Sequence, residues 1–291
     1  MSFGLVLAGG GLTGLAWEVG VISALHEQGI DLTTADAVVG TSAGSIVGSM
    51  LMSGIDYSEL VSYVTDPDQT PLRLGGQPMT DGDPVQNLMV LGRWSGVPTM
   101  DADTAAEIAQ ISARGKTLTE EAWIGLFAEI VGPLEWSPKL GIVSIDIESG
   151  EPKLWSAADG AELLRAVASS CAVPGMFPAV EINGGHYVDG GLWSPTSAQL
   201  LLDKGLSDKG VDSVVIISPL GGDDWIGQFC DRATQREMEL LASAGIKTEL
   251  LVPTPPIAPL SAFNEADRIP QFERGRIDGL AASDRVRAAI A

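Results

Sequence analysis

One stretch constrains the fold of this chain more than any other, because two β-branched residues lead there into a Gly-x-Ser-x-Gly motif. Residues 38 and 39 are valines typical of a buried strand, and Ser42 stands between Gly40 and Gly44. A small-residue helical pattern follows over residues 45–51. This order predicts a sharp strand–turn–helix connection with the serine at its tip, where the helix N-terminus favours developing negative charge.

A glycine-rich loop is the second informative stretch. Residues 3–8 predict a buried strand that runs into Gly9-Gly10-Gly11-Leu12-Thr13-Gly14, and a helix is expected from about Leu15 to Gln28. The backbone N–H groups of such a loop can bind an anion. The loop also fits the fingerprint of a dinucleotide site, but that site needs an acidic residue at the end of the second strand. This chain has Gly40 there.

The third stretch puts a carboxylate on a loop. Residues 168–178 are rich in small residues and proline, and two short strand patterns follow at 180–182 and 186–188. Asp189-Gly190-Gly191 comes next. An acid followed by two glycines leaves room for another backbone beside the carboxylate.

The rest of the chain alternates strand and helix patterns, and Pro195 is expected to open a further helix. No internal repeat or linker interrupts it, so residues 1–291 are predicted to form a single domain. Residues from about 66 to 100 are rich in proline and glycine, and we interpret them as a cap insertion over the site. A plain surface excursion is the alternative.

Charge and composition exclude several classes of function. The net charge of −21 argues against nucleic-acid binding and against stable adhesion to anionic lipid. Two cysteines, Cys171 and Cys230, form neither a disulfide framework nor a metal site, which favours a reducing cytoplasm. Asp81-Gly82-Asp83 lacks the other ligands of a calcium loop, so no metal is expected. Neither a signal peptide nor a membrane span is predicted.

Taken in this order, the three stretches resemble the marks of the patatin-like phospholipase family, over about residues 3–195. The resemblance implies an α/β fold, a three-layer α/β/α sandwich with a mostly parallel central sheet. It also implies an acyl hydrolase of lipid esters that needs no cofactor and whose partner is a lipid or acyl-ester substrate, with membrane contact only transient.

The family's roles map onto this sequence residue by residue. Ser42 would be the nucleophile and Asp189 the base of a Ser–Asp dyad, while the amides of Gly10 and Gly11 would form the oxyanion hole. The remaining motif glycines would support this arrangement: Gly9, Gly14, Gly40, Gly44, Gly190 and Gly191. Thr13 departs from the family, which usually has arginine or lysine there. The chain therefore lacks a cation that could contact an anionic substrate.

Two other functions stay open at this stage. An α/β-hydrolase triad needs the order Ser, acid, His, which Ser42, Asp146 and His186 satisfy, although no late histidine loop follows. His26 precedes the serine and fails this order. A catalytically silent protein of the same fold, binding lipid or a partner, is the third hypothesis, and labelling by a fluorophosphonate would separate it from an enzyme.

Overall fold

A mostly parallel sheet carries the loops named above. The computed structural model describes residues 2–66, 84–113, 118–202, 206 and 210–291. The strands of the described residues are β1 (Phe3–Leu7), β2 (Ala37–Thr41), β3 (Leu140–Asp146), β4 (Pro152–Trp155), β5 (Val180–Ile182), β6 (Gly185–Asp189), β7 (Ser213–Ile217) and β8 (Lys247–Leu251). The α-helices of the same residues are α1 (Gly11–Glu27), α2 (Ala43–Met52), α3 (Tyr57–Thr65), α4 (Pro84–Ser95), α5 (Ala102–Ala113), α6 (Glu120–Gly125), α7 (Ala128–Val131), α8 (Leu163–Ser170), α9 (Trp225–Ser243) and α10 (Arg268–Ile290).

The strand order brings the predicted site residues to one region of the sheet. The strands lie in the order β5-β6-β3-β2-β1-β7-β8, with β4 paired to β3. Strands β3, β2, β1, β7 and β8 are parallel, whereas β4 and β6 run antiparallel to β3. Because β1 and β2 are neighbours in the centre, the glycine loop after β1 and the serine turn after β2 lie side by side.

Alternating side chains of β1 supply the cores on both faces of the sheet. Leu5 and Leu7 belong to a core that includes residues of α1, α2, α3 and α10, while Val6 packs in a second core with Leu241 of α9. The side chains of a strand point alternately to its two faces, so one apolar run serves both layers. The predicted three-layer α/β/α fold class is confirmed.

Helices α1 and α10 approach closely because glycines face each other across their contact. A Cβ atom added to Gly20 would lie 2.2 Å from the Phe272 carbonyl oxygen, and one added to Gly275 would lie 2.1 Å from that of Trp17. Only glycine leaves room for backbones at this distance. Helix α10 therefore fixes the position of α1, whose N-terminus carries the glycine loop.

Three local predictions differ from the structure. Helix α1 begins at Gly11 rather than near Leu15, because the Gly14 amide donates to the Gly10 carbonyl at 2.9 Å and closes a turn within the glycine loop. No α-helix begins at Pro195 in the described residues. Buried Glu237 instead accepts hydrogen bonds from the Thr196 hydroxyl (2.5 Å) and the Ala198 amide (2.7 Å), and a short 3-10 helix follows.

The third difference concerns the segment interpreted as a cap. Residues 84–95 form helix α4 where the sequence indicated irregular structure. Residues 67–83 lie outside the described residues. The described part contributes Trp94, whose indole packs edge-on against the ring of Phe229.

Candidate active site

Ser42 lies in the strained turn that its motif predicts. Its backbone has φ 51° and ψ −118°, between the end of β2 and the start of α2. A positive φ is uncommon for a residue other than glycine and often accompanies functional sites. A Cβ atom on Gly44 would lie 2.0 Å from the Leu7 carbonyl oxygen, and one on Gly40 would lie 2.6 Å from the Gly44 carbonyl oxygen. Both glycines are therefore needed for α2 to pack this closely.

A buried serine that the sequence reasoning did not assign holds this turn in place. The Ser42 amide donates a hydrogen bond of 2.8 Å to the Ser170 hydroxyl oxygen, and that hydroxyl in turn donates to the Val143 carbonyl at 2.6 Å. Ser170 is fully buried at the end of α8. It lies in the 168–178 stretch that the sequence singled out, but only the folded chain brings it beside residue 42.

Strand register brings Asp189 next to Ser42. Thr41 of β2 pairs with Val143 of β3, and Asp189 of β6 pairs with Ser144. Strand β3 lies between β2 and β6, and Val143 and Ser144 are consecutive residues of it. The ends of β2 and β6 therefore lie at the same level of the sheet, on either side of β3. The Ser42 hydroxyl lies close enough to the Asp189 carboxyl group to lower its pKa, and the two side chains line one cavity.

The surroundings of Asp189 change its acidity. Its side chain is almost fully buried, and burial raises the pKa of the carboxyl group to about 7, against the smaller lowering effects of the Gly191 amide and the Ser42 hydroxyl. The Gly191 amide lies 2.7 Å from Oδ1. A Cβ atom on Gly190 would lie 2.8 Å from the Val143 carbonyl oxygen, so this glycine lets the loop pass close to β3.

The glycine loop faces the same space. The Gly9 amide donates to the Pro195 carbonyl at 2.8 Å, which ties the loop to the segment after Asp189. Within the described part of the chain, the amides of Gly10 and Gly11 have no protein acceptor. The first N–H groups of a helix lack intrahelical partners and carry its positive dipole end, so these two can receive an oxyanion.

Thr13 points away from this space into the protein. It is fully buried, its hydroxyl donates to the Ser261 carbonyl at 3.4 Å and its amide to the Ala262 carbonyl at 3.0 Å. Gly11 has φ 57°, and a Cβ atom on it would lie 2.6 Å from the Ala262 carbonyl oxygen. The threonine therefore anchors the glycine loop to a segment far along the chain, a role that its motif position did not predict.

The candidate dyad opens into a cavity of about 390 Å³. Its lining includes the three glycines of residues 9–11 together with Ser42 and Asp189, and most of its wall is apolar. The apolar lining residues include Trp94, Val173, Met176, Leu220, Phe229 and Phe263. Its volume lies within the ordinary range for small-molecule sites. Lysine, arginine and histidine are absent from the described lining.

Neither histidine is near the candidate nucleophile. His186 is exposed on β6 opposite Glu181, and His26 is exposed and stacks on Tyr57 with ring centroids 3.6 Å apart. Neither lines a described cavity that contains Ser42. The geometry therefore gives no support to the Ser-Asp-His triad.

Cys171 is buried beside the candidate dyad. Its Sγ lies 3.8 Å from the Ser45 hydroxyl oxygen, and burial, followed by the charge of Asp189, raises the pKa of the thiol well above its ordinary value. A thiol that stays protonated is a poor nucleophile. Among the described residues, no group of three or more His, Cys, Asp or Glu side chains could hold a metal ion. Asp81 and Asp83 lie outside those residues.

Comparisons with known proteins identify the class. The model of the family described as patatin-like phospholipase matches residues 5–202, and the chain belongs to that family. A stretch of 50 residues is 56% identical to lysophospholipase NTE1 of Mycosarcoma maydis, covering 17% of this chain but only 2% of that protein. No helix of the described residues is long and apolar enough to cross a membrane.

Two solved structures are similar to this chain at low sequence identity. VipD from Legionella pneumophila matches with a TM-score of 0.51 and 16% identity, covering 98% of this chain and 67% of that one. The type III effector protein ExoU matches with a TM-score of 0.44 and 17% identity, covering 97% of this chain and 53% of that one. At these identities the likeness to VipD concerns the fold alone.

Proposed function

We propose that the protein is a serine hydrolase of lipid carboxylic esters that works through a Ser42–Asp189 dyad. The observation that carries this proposal is that a serine in a strained turn shares one cavity with a buried carboxyl group whose pKa is raised to about 7. A carboxylate with its ordinary pKa is a weak base at neutral pH, whereas one near 7 is matched to proton transfer there. Membership of the patatin-like phospholipase family supports lipid esters as the substrate class.

The reaction has two acyl-transfer steps. Ser42 Oγ attacks the ester carbonyl carbon while Asp189 accepts the hydroxyl proton, and the resulting oxyanion lies against the amides of Gly10 and Gly11. The carbon–oxygen bond to the alcohol then breaks, and Asp189 returns the proton to the leaving oxygen. Water attacks the acyl-enzyme next, giving its proton to Asp189. Collapse of the second oxyanion breaks the bond to Ser42 Oγ and releases the acid, while Asp189 returns its proton to Ser42 Oγ.

Active-site labelling and hydrolysis test the proposal together. Ser42→Ala should lose both fluorophosphonate labelling and ester hydrolysis, and Asp189→Asn should lose nearly all turnover. Ser49→Ala is the matched control, because Ser49 lies on α2 but its hydroxyl bonds to the Ser45 carbonyl away from the cavity. Full hydrolysis by Ser42→Ala would refute the dyad. An unlabelled and inactive wild-type protein would favour the silent lipid- or partner-binding protein.

A further inference from the structure

A second, smaller pocket lies beside Ser42, apart from the cavity described above. Its volume is about 40 Å³, and Gly11, Ser42 and Phe263 line both spaces. Its other walls are almost entirely apolar and include Leu15, Ile46, Phe127 and Cys171. The candidate nucleophile therefore stands between a large and a small apolar space.

The small pocket has rigid walls. Trp123 stacks on Phe177 with ring centroids 4.0 Å apart and meets Phe127 edge-on at 4.9 Å. The Trp123 indole also donates a hydrogen bond of 2.9 Å to the Ala168 carbonyl. These three aromatic side chains are almost fully buried. A close-packed aromatic wall does not move aside to admit a larger group without losing contacts.

The direction of proton transfer assigns the two spaces to the two halves of an ester. In the proposed reaction Asp189 returns its proton to the leaving alcohol, so the alcohol oxygen must be on the Asp189 side of Ser42. Asp189 lines the large cavity and not the small pocket. With the carbonyl oxygen against Gly10 and Gly11, the remaining substituent of the carbonyl carbon is the acyl chain, which then faces the small pocket.

Resting on the proposed function, we infer that the small pocket binds the acyl group and limits the substrates to short-chain acyl esters of large apolar alcohols. A group the size of a water molecule, such as a methylene, needs about 10–15 Å³ of pocket volume. The small pocket of about 40 Å³ therefore holds about three carbon atoms beyond the carbonyl carbon. The large cavity of about 390 Å³ holds roughly ten times as many groups. An acyl group of about four carbons therefore fills the small pocket.

A pair of isomeric esters tests this assignment. Dodecyl butyrate and butyl dodecanoate contain the same atoms and differ only in which half is short. The wild-type protein should hydrolyse dodecyl butyrate more than about tenfold faster in kcat/KM, because each methylene kept out of the pocket costs about fourfold. In a series of nitrophenyl esters, the rate should be highest for acetate to butyrate and fall for longer acids.

Variants of Ile46 test the role of the pocket itself. Ile46→Ala should move the preferred acyl length upward by about two or three carbons, and Ile46→Val by about one, because each removes wall atoms from the pocket alone. Ile22→Ala is the matched control, a buried isoleucine of α1 that lines neither space and should leave the preferred length unchanged. The milder valine variant keeps the comparison usable if the alanine variant does not fold.

The outcomes separate this inference from the proposed function. Faster hydrolysis of butyl dodecanoate, or the same preferred acyl length in folded Ile46→Val and wild type, would overturn the acyl assignment while leaving the dyad intact. If fluorophosphonate did not label the wild-type protein and neither isomer were cleaved, the proposed function would be overturned, and the acyl assignment of the small pocket with it.

Discussion

Replacing Asp189 with asparagine removes a group whose ionisation opposes folding. Burial raises the pKa of this carboxyl group from 3.8 to about 7, so the folded protein binds its proton more tightly than the unfolded chain does. The free energy of unfolding therefore falls as pH rises between these two values, and the loss is complete above about pH 7. The amide of asparagine has a similar shape and does not titrate.

The two pKa values fix the magnitude. At 1.36 kcal/mol per pKa unit, holding the carboxylate ionised in the folded state costs about 4 kcal/mol above pH 7. As the pH rises from about 5 to about 8.5, the free energy of unfolding of the Asp189→Asn variant should increase by about 3 kcal/mol relative to that of wild type. Burial also raises the pKa values of Glu18 and Glu237, so only the difference between the two proteins isolates Asp189.

Urea unfolding of both proteins at several pH values measures this difference. The midpoints should diverge steadily from about pH 5 and run parallel above about pH 7, with the asparagine variant more stable and nearly inactive. A constant difference at all pH values would refute the raised pKa and remove the argument that Asp189 is suited to act as a base at neutral pH.

Four further outcomes are expected. The kcat/KM of wild type on a soluble neutral ester should fall about tenfold per pH unit below about pH 7, because the base must be ionised, and a flat profile down to about pH 5 would contradict this. Ser170→Ala leaves the Ser42 amide without its acceptor, which costs about 1–3 kcal/mol and should lower kcat about 10- to 100-fold with KM unchanged. Ser169→Ala on the same helix is the control, and an equal loss of kcat in both variants would refute the positioning role of Ser170. The double variant His26→Ala/His186→Ala should keep turnover close to wild type, whereas a fall of about 10⁴ would revive the triad. A neutral short-chain ester carried in zwitterionic vesicles should be hydrolysed faster than the same ester in anionic vesicles at low salt, with the gap narrowing as salt rises, since the chain carries −21; a rate in anionic vesicles that is higher and insensitive to salt would contradict the electrostatic reasoning.

The parts of the site that depend on local geometry could be predicted from the sequence. A serine between glycines, preceded by a buried strand and followed by a helix, permits few conformations, and the turn at Ser42 follows from that pattern. The glycine loop was recognisable for the same reason, although the start of α1 was placed four residues late. Helix propensity argues against glycine in a first turn, and the contact with Ala262 that holds this turn is not local.

The parts that depend on distant contacts could not be predicted. Ser170 acts on an amide far along the chain, and nothing in its own neighbourhood indicates that partner. The cavity wall includes Phe229, Pro259 and Phe263, which follow the region of the resemblance and lie beyond the family match at 5–202. The small aromatic pocket likewise combines α1, α2 and α6 with Cys171 and later loops, so it exists only once those elements have packed.

The glycine contact between α1 and α10 also sets an order of events during synthesis. Helix α1 leaves the ribosome early, but the backbone against which Gly20 lies belongs to α10, which is made long afterwards. A nascent chain that already contains Gly10, Ser42 and Asp189 still lacks the helix that fixes α1 and the segment that holds Thr13. Contacts between such distant residues form late and slowly. The growing chain would thus carry every residue of the proposed site before it could hold them in register, and the proposed hydrolysis would begin only when α10 has docked.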